Sequence, residues 1–319
     1  MARYLLSRVA ALIGIVWIVT VFCFLLTHML PGDPSQSILR FSWTPAAGRA
    51  WDKQHGFTGP LVHQYWYWLR HVLSGNLGRS AYGPPVISFI KSGYKVDLEL
   101  VIYSQILAFL FAVPLAVYAS RRPNGPLDKS ATSITFAFYC LPAFILVVWL
   151  VQLFCIHFHV FKGPGASAFP TGVGLFSFIF TNLYVMLLPS LILAVGTLAV
   201  YYRLLRGEMA ATLQEEFITV ARSKGLSTNR VLWRHALRPS SITLLTSMGN
   251  NIALLITGLF IVETKFALPG IGYFLVGGIF QKDYLLVQGI ALVTAVTVVV
   301  VNFAIDIATT YVDPRIARA

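Results

Sequence analysis

Side chains that do chemistry are thinly spread along this chain of 319 residues. Cys155, His157 and His159 offer a thiol and two imidazoles, but they supply three metal ligands where a closed structural zinc site takes four, and no fourth lies near them in sequence. They read as the end of a helix at a membrane interface, and no metal or other cofactor is implied. Thr243, Ser247 and Asn250 step at i, i+4 and i+7, followed by Asn251, Thr257 and Gly258. That ladder puts hydroxyls and amides along a helix that is otherwise apolar, where polar groups tend to face a bundle interior or a wet cavity. Small polar residues also hold helices together, but two adjacent asparagines exceed what packing needs. Glu263 and Asp306 are the main charges placed in or beside apolar stretches, as gate elements or as structural partners for arginine. No Ser, His and Asp constellation stands out, and no GxxxxGK[ST] phosphate loop is present. The available chemistry is that of recognition and passage, and no catalytic residue is assigned.

The densest chemistry lies in residues 215–240, EEFITVARSKGLSTNRVLWRHALRPS, which hold seven of the chain's 36 Asp, Glu, Lys and Arg residues. EEFITVARSK places Phe217, Val220, Ala221 and Lys224 at helical spacing, a narrow apolar face. Gly225 reads as a helix terminator, because glycine takes left-handed dihedrals without steric cost. Ser227 or Thr228 can cap a second helix, on which Arg230, Arg234 and Arg238 recur every four residues. A short helix, a glycine turn and a second helix running into a span can serve two ends. The segment can lie on anionic headgroups through its arginines, or it can be a knob that docks on a cytoplasmic protein.

The elements that position these groups are apolar. Hydrophobic residues make up 57% of the chain and charged residues 11%, with a mean hydropathy of +0.72, against about 25% charged residues in soluble domains. The chain is built for lipid. Six spans are expected, at residues 9–30, 98–120, 131–158, 183–202, 242–262 and 284–311, each near the ~20 residues that cross a bilayer. The first is too long for a signal-peptide core and precedes no small-residue cleavage site, so it is expected to be a retained span. Pro114, Pro142 and Pro189 fall inside spans, which neighbouring helices can tolerate. With the N-terminus inside, 14 Lys and Arg fall on cytoplasmic pieces and 10 on the opposite side, most of these in a loop long enough to escape the rule. Both termini are therefore expected in the cytoplasm. The net charge of +12 then reports topology, and the scatter of basic residues over span ends argues against nucleic-acid binding. In the long outer loop, PLVHQYWYWLRHVLSG places Leu61, Tyr65, Trp68, Leu69 and Val72 on one helical face, which suits an anchor lying on the bilayer.

The 215–240 segment resembles the cytoplasmic loop of ABC importer permeases, which has an acid-Ala-Ala stretch, a Gly six residues after the acid, and a later Ile-x-Leu-Pro. Gly225, Ala221 and Leu237 match. Thr219 stands where the acid would be, His235 replaces the Ile and Arg238 the Pro. Those departures are what the dipeptide, oligopeptide and nickel branch shows; its acid-aromatic-x-x-x-Ala-x-x-Lys-Gly run is Glu216, Phe217, Ala221, Lys224 and Gly225 here, and its His-Ala-Leu-Arg is His235 to Arg238. LPGDP (30–34), GNLGRS (75–80), DLEL (97–100), VETKFALPGIG (262–272), DY (283–284) and VDPRI (312–316) are similar to the same branch in order and spacing. LSGN at 73–76 is read as part of the outer loop.

The resemblance implies an all-α, six-span permease of the type I importer fold, the first of two permease subunits, in the cytoplasmic (inner) membrane of a prokaryote. It implies three parts: residues 1–30 as the N-terminal segment and first span, 31–96 as an extracytoplasmic loop with an amphipathic helix, and 97–319 as a five-helix core carrying the coupling loop at 203–238. Glu216, Phe217, Thr219, Ala221, Lys224, Gly225, Leu226 and Leu237 become the ATPase-coupling set, while Thr243, Ser247, Asn250, Asn251 and Thr257 are read as path lining. The partners implied are a second homologous permease, two cytoplasmic ATPase subunits or domains, an extracytoplasmic substrate-binding protein and membrane lipid. The cargo implied is a di-, tri- or oligopeptide, with a nickel chelate or haem as alternatives carried by relatives. An ion-coupled secondary transporter is the competing class, opposed by the lack of a carboxylate chain within the spans and of a visible inverted repeat.

Overall fold

The computed structural model describes residues 2–29, 34–161, 163, 165 and 182–312. Most are helical, and no strand forms among them; Arg79 and Pro85 make an isolated antiparallel bridge. An all-helical build is what lipid dictates, since every backbone amide must be satisfied within the segment. The helices are α1 (Ala2–Met29), α2 (Pro34–Leu39), α3 (Pro45–Gln54), α4 (Leu61–Leu73), α5 (Val86–Ser120), α6 (Pro126–Cys140), α7 (Ala143–Val151), α8 (Leu183–Thr212), α9 (Glu216–Ser223), α10 (Thr228–Arg230), α11 (Leu237–Phe266), α12 (Ile271–Phe280) and α13 (Tyr284–Val312). Four are long and apolar enough to cross a membrane, and two bent pairs raise that to six if each pair is one span. The motifs LPGDP and VDPRI lie largely outside the described residues.

The third expected span differs from a single rod. It breaks at Leu141–Pro142, and the two parts are bent by 103°. Leu141 is extended, at φ −78° and ψ 128°, the conformation that a following proline favours because its ring disfavours the helical region for the residue before it. Pro114 and Pro189 instead stay inside the unbroken helices α5 and α8. The fifth expected span, 242–262, lies within α11, and a further helix, α12, which the sequence reading did not identify, forms in the segment expected to join the fifth and sixth spans.

The chain divides into two compact units. One gathers the described parts of Met1–Asp97 and Ala267–Ala304. Here α4 docks on α1. The Tyr65 and Thr20 hydroxyls are 2.9 Å apart, Gln64 Oε1 lies 3.0 Å from His28 Nε2, and the Phe24 ring meets those of Tyr65 and Trp68. The face expected to lie on lipid thus turns Tyr65, Trp68 and the buried Leu69 towards protein and leaves Leu61 exposed, while Val62 and Trp66, which were not placed on that face, are exposed as well. The same unit pairs sequence strings that looked unrelated. Asp283 of the DY string is fully buried and accepts from Ser80 Oγ of GNLGRS at 2.5 Å, from Ala81 N at 2.8 Å and from Leu286 N at 3.2 Å, the last contact capping α13. Asp97 of DLEL accepts from Ile271 N at 3.1 Å, capping α12. Gly93 sits where a Cβ would come within 2.8 Å of that same Ile271 nitrogen, so a glycine is what lets the two backbones approach.

The second unit gathers Leu98–Phe266 with Ile305–Pro314. Its core joins Ala108, Ala112, Ala116 and Val117 of α5 to Tyr201, Tyr202, Leu205 and Met209 of α8, and to buried residues of the 215–240 segment. The row of alanines lets α5 approach its neighbours closely, as small residues do between helices in lipid. Tyr201 donates to Gln105 Oε1 at 2.6 Å across the α5–α8 contact, which satisfies a phenol that has no water to turn to.

Candidate functional site

The 215–240 segment folds as a helix, a glycine turn and a second helix that enters a span. Helix α9 has eight residues, below the ~12–15 at which isolated helices become marginal in water. Packing must therefore hold it. Its inner face is Ile218, fully buried, and Ala221, 6% exposed, both in the core cluster with Val231, Leu232 and Ala236. Burying one such branched side chain contributes about 1.5–3 kcal/mol. The outer face carries Glu216, Phe217, Thr219 and Val220, with Lys224 and Gly225 at its end, all exposed.

The apolar positions therefore divide differently from the helical spacing read in sequence. Phe217 and Val220 were expected to share a face with Ala221, yet they are 46% and 52% exposed, and Ile218 takes the core position. Leu226 and Leu237 are partly buried and pack against the core. In the monomer they hold the loop, and the aromatic and aliphatic groups left outside are Phe217, Val220 and Trp233.

Gly225 has φ +76°, the left-handed turn expected of it. Its N–H donates to Arg222 O at 2.9 Å and the Leu226 N–H to Ala221 O at 3.4 Å, which ends α9 and sends Leu226 back to the core. Ser227 precedes α10 in an extended conformation but makes no side-chain cap bond. From Val231 to Ala236 the helix widens into a π-turn before α11. Arg230, Arg234 and Arg238 all remain exposed.

Polar contacts missed in the sequence brace the root of this loop. Asp128, near the start of α6 and 2% exposed, takes the Arg206 guanidinium on both oxygens, with Nε to Oδ1 at 3.0 Å. It also accepts from the Tyr202 hydroxyl at 3.1 Å and from Asn124 N at 2.8 Å. A forked Arg–carboxylate pair fixes orientation as well as adding energy. The signal available was an acid in the first turn of a helix facing an arginine just past another span, but the pairing spans 78 residues and no periodicity announces it. At the next level the Thr212 and Ser240 hydroxyls meet at 3.0 Å, tying α8 to α11.

Of the expected path residues, Thr243, Ser247 and Asn251 are half-buried and Asn250 is exposed. The two asparagines part company. Asn251 Nδ2 donates to Ser247 O at 2.9 Å and lies 3.2 Å from Ser247 Oγ, so it is bonded within its own helix. Gly249 lies against Ile305, close enough that a Cβ would come 2.6 Å from its side chain. The side chains of Thr257 and Asp306 are outside the described residues. Glu263 is fully buried at the far end of α11. Buried charge is commoner than expected, since Asp97, Glu99, Asp128 and Asp283 are buried as well.

Residues 112–318 match the family described as binding-protein-dependent transport system inner membrane component, and residues 1–93 match the N-terminal region of such membrane components. The dipeptide transport system permease protein of Bacillus subtilis is 30% identical over 318 residues, covering 99% of this chain and 98% of that protein. An oligopeptide transport system permease protein of the same organism is 30% identical over 318 residues, covering 99% of each chain, and a glutathione transport system permease protein of Escherichia coli is 30% identical over 317 residues with the same coverage. Such permeases are membrane subunits rather than enzymes, and ATP hydrolysis belongs to separate subunits. With a full-length match and apolar helices of crossing length, this chain belongs to the family of binding-protein-dependent transport system inner membrane components: it is a multi-pass inner-membrane permease of the ABC importer class.

Proposed function

We propose that the chain is one half of a peptide-conducting pathway, and that α9 with the Gly225 turn is the knob through which partner ATPases move it. The supporting observation is the two-sidedness of α9. Ile218 and Ala221 are sunk in the α5–α8 core while Phe217 and Val220 stand exposed beside Glu216 and Lys224. A knob held this rigidly transmits a push to α8 and α11, because packed cores shift between arrangements and do not bend smoothly.

Two cytoplasmic ATPase subunits, a second related permease and an extracytoplasmic binding protein complete the machine. The second permease is required because one six-span bundle cannot enclose a peptide-sized path, whereas a pseudo-symmetric pair can. Both termini and the 203–238 loop lie on the cytoplasmic side in this reading, with residues 31–96 outside. Asn250 is the strongest lining residue, exposed on α11 where its neighbour Asn251 bonds internally. Peptides are the cargo favoured by the dipeptide, oligopeptide and glutathione relatives; a nickel chelate or haem remains the alternative within the family.

Placing a cysteine at Thr219, which is exposed on α9, and crosslinking it in the assembled complex tests the reading. Efficient adducts with the ATPase are expected. Their absence from a complex shown to be intact overturns the assignment of α9.

A further inference from the structure

A groove of about 460 Å³ opens between α6 and α8 in the second unit, within the ~300–1,000 Å³ range of small-ligand sites. Its lining is divided by chemistry. Lys129, Arg203 and Arg206 supply three basic side chains against the single carboxylate of Asp128, and that carboxylate is committed to Arg206. Lys129 and Arg203 are exposed. The other wall is Phe136, Tyr139 and Val200, of which Phe136 is 60% and Tyr139 51% exposed. Arg121 and Arg122, also exposed, stand in the turn just before α6.

Two exposed cations in a groove that also holds exposed Phe136 and Tyr139, on the side that the topology proposed above makes cytoplasmic, match an amphiphile with an anionic head. A free anion leaves Phe136 and Tyr139 uncovered, and a neutral lipid leaves the cations without a counter-charge. Basic pockets between spans on the cytoplasmic side recognise anionic headgroups for this reason. We propose that this groove is a binding site for an anionic phospholipid, with the phosphate held by Lys129 and Arg203 and the start of an acyl chain along Phe136 and Tyr139. The Asp128–Arg206–Tyr202 network forms the floor beneath the headgroup. The same residues brace the root of the 203–238 loop, so an occupied site steadies the α6–α8 contact from which the loop springs.

The test uses the intact complex of permease pair and ATPases, reconstituted in phosphatidylcholine membranes with a minority of phosphatidylglycerol, then extracted and weighed by native mass spectrometry. The wild type is expected to retain phosphatidylglycerol. The Lys129→Gln/Arg203→Gln double variant is expected to lose at least about tenfold in retention. A Lys91→Gln/Lys95→Gln variant, which removes the same charge from an exposed stretch of α5, is expected to retain it. Equal retention by the first variant and the wild type overturns the site. Displacement of the lipid by inorganic phosphate reduces it to an anion pocket, and efficient crosslinking of a Ser133→Cys variant to the second permease makes it a protein interface; either result also overturns the proposal. Retention needs neither transport nor substrate, so a negative outcome leaves the reading of α9 untouched.

Discussion

Replacing Gly225 by valine isolates a dihedral from a contact. The residue sits at φ +76°, and a Cβ built there meets nothing within 4 Å. No clash arises in the chain itself, so the penalty is that of holding an L-residue in the left-handed region, about 1–2 kcal/mol, and a β-branched residue is among the worst suited. That is a factor of about 5–30 in the population of the native turn. The turn returns Leu226 to the core and ends α9, so its loss misdirects the knob without touching the spans. Gly225→Val should therefore insert normally yet lower uptake per ATP hydrolysed in proteoliposomes, with crosslinking from a cysteine at position 219 reduced in parallel. Gly225→Asn should fall between valine and wild type, closer to wild type, since asparagine is among the few non-glycine residues that adopt that region. Unchanged coupling in the valine variant refutes the reasoning. So does an asparagine variant as poor as valine, which would point to a partner filling the open space. A loop that acts by lying on lipid makes a different forecast: replacing Arg230, Arg234 and Arg238 by Gln should then hurt more than the glycine change.

Two further outcomes follow from buried and exposed polar groups. Asp283→Ala removes the cap of α13 and leaves Ala81 N–H without its carboxylate, at about 1–3 kcal/mol; thermal unfolding of the purified complex should shift down, with Asp283→Asn in between. Asn250→Leu should reduce uptake while ATPase pull-down from the same preparation stays intact; if both fall together, the residue is packing glue and the pathway reading of α11 loses its main support.

The apolar helices of crossing length, four or up to six if each bent pair is one span, the glycine turn and the family resemblance were legible because each is written in local pattern. Hydropathy over about 20 residues reports a span, and Gly225 announces a left-handed turn by its lack of a Cβ. Other features were not local. Helical spacing put Phe217, Val220 and Ala221 together, but which stripe of α9 faces inward is decided by where α5 and α8 stand, and that choice selected Ile218. Pro142 and Pro189 are equivalent in sequence terms, yet one breaks its span and the other does not.

Sequence alone determined that this chain is an all-helical membrane permease of the importer class, because lipid restricts the backbone to helices and the family strings survive in order. Tertiary structure decided what those strings are for. GNLGRS meets DY through Ser80 and Asp283, and DLEL meets LPGIG through Asp97 and Ile271; Asp128 meets Arg206 across 78 residues. A buried carboxylate must find its donors wherever the fold brings them, and sequence distance carries no information about that meeting.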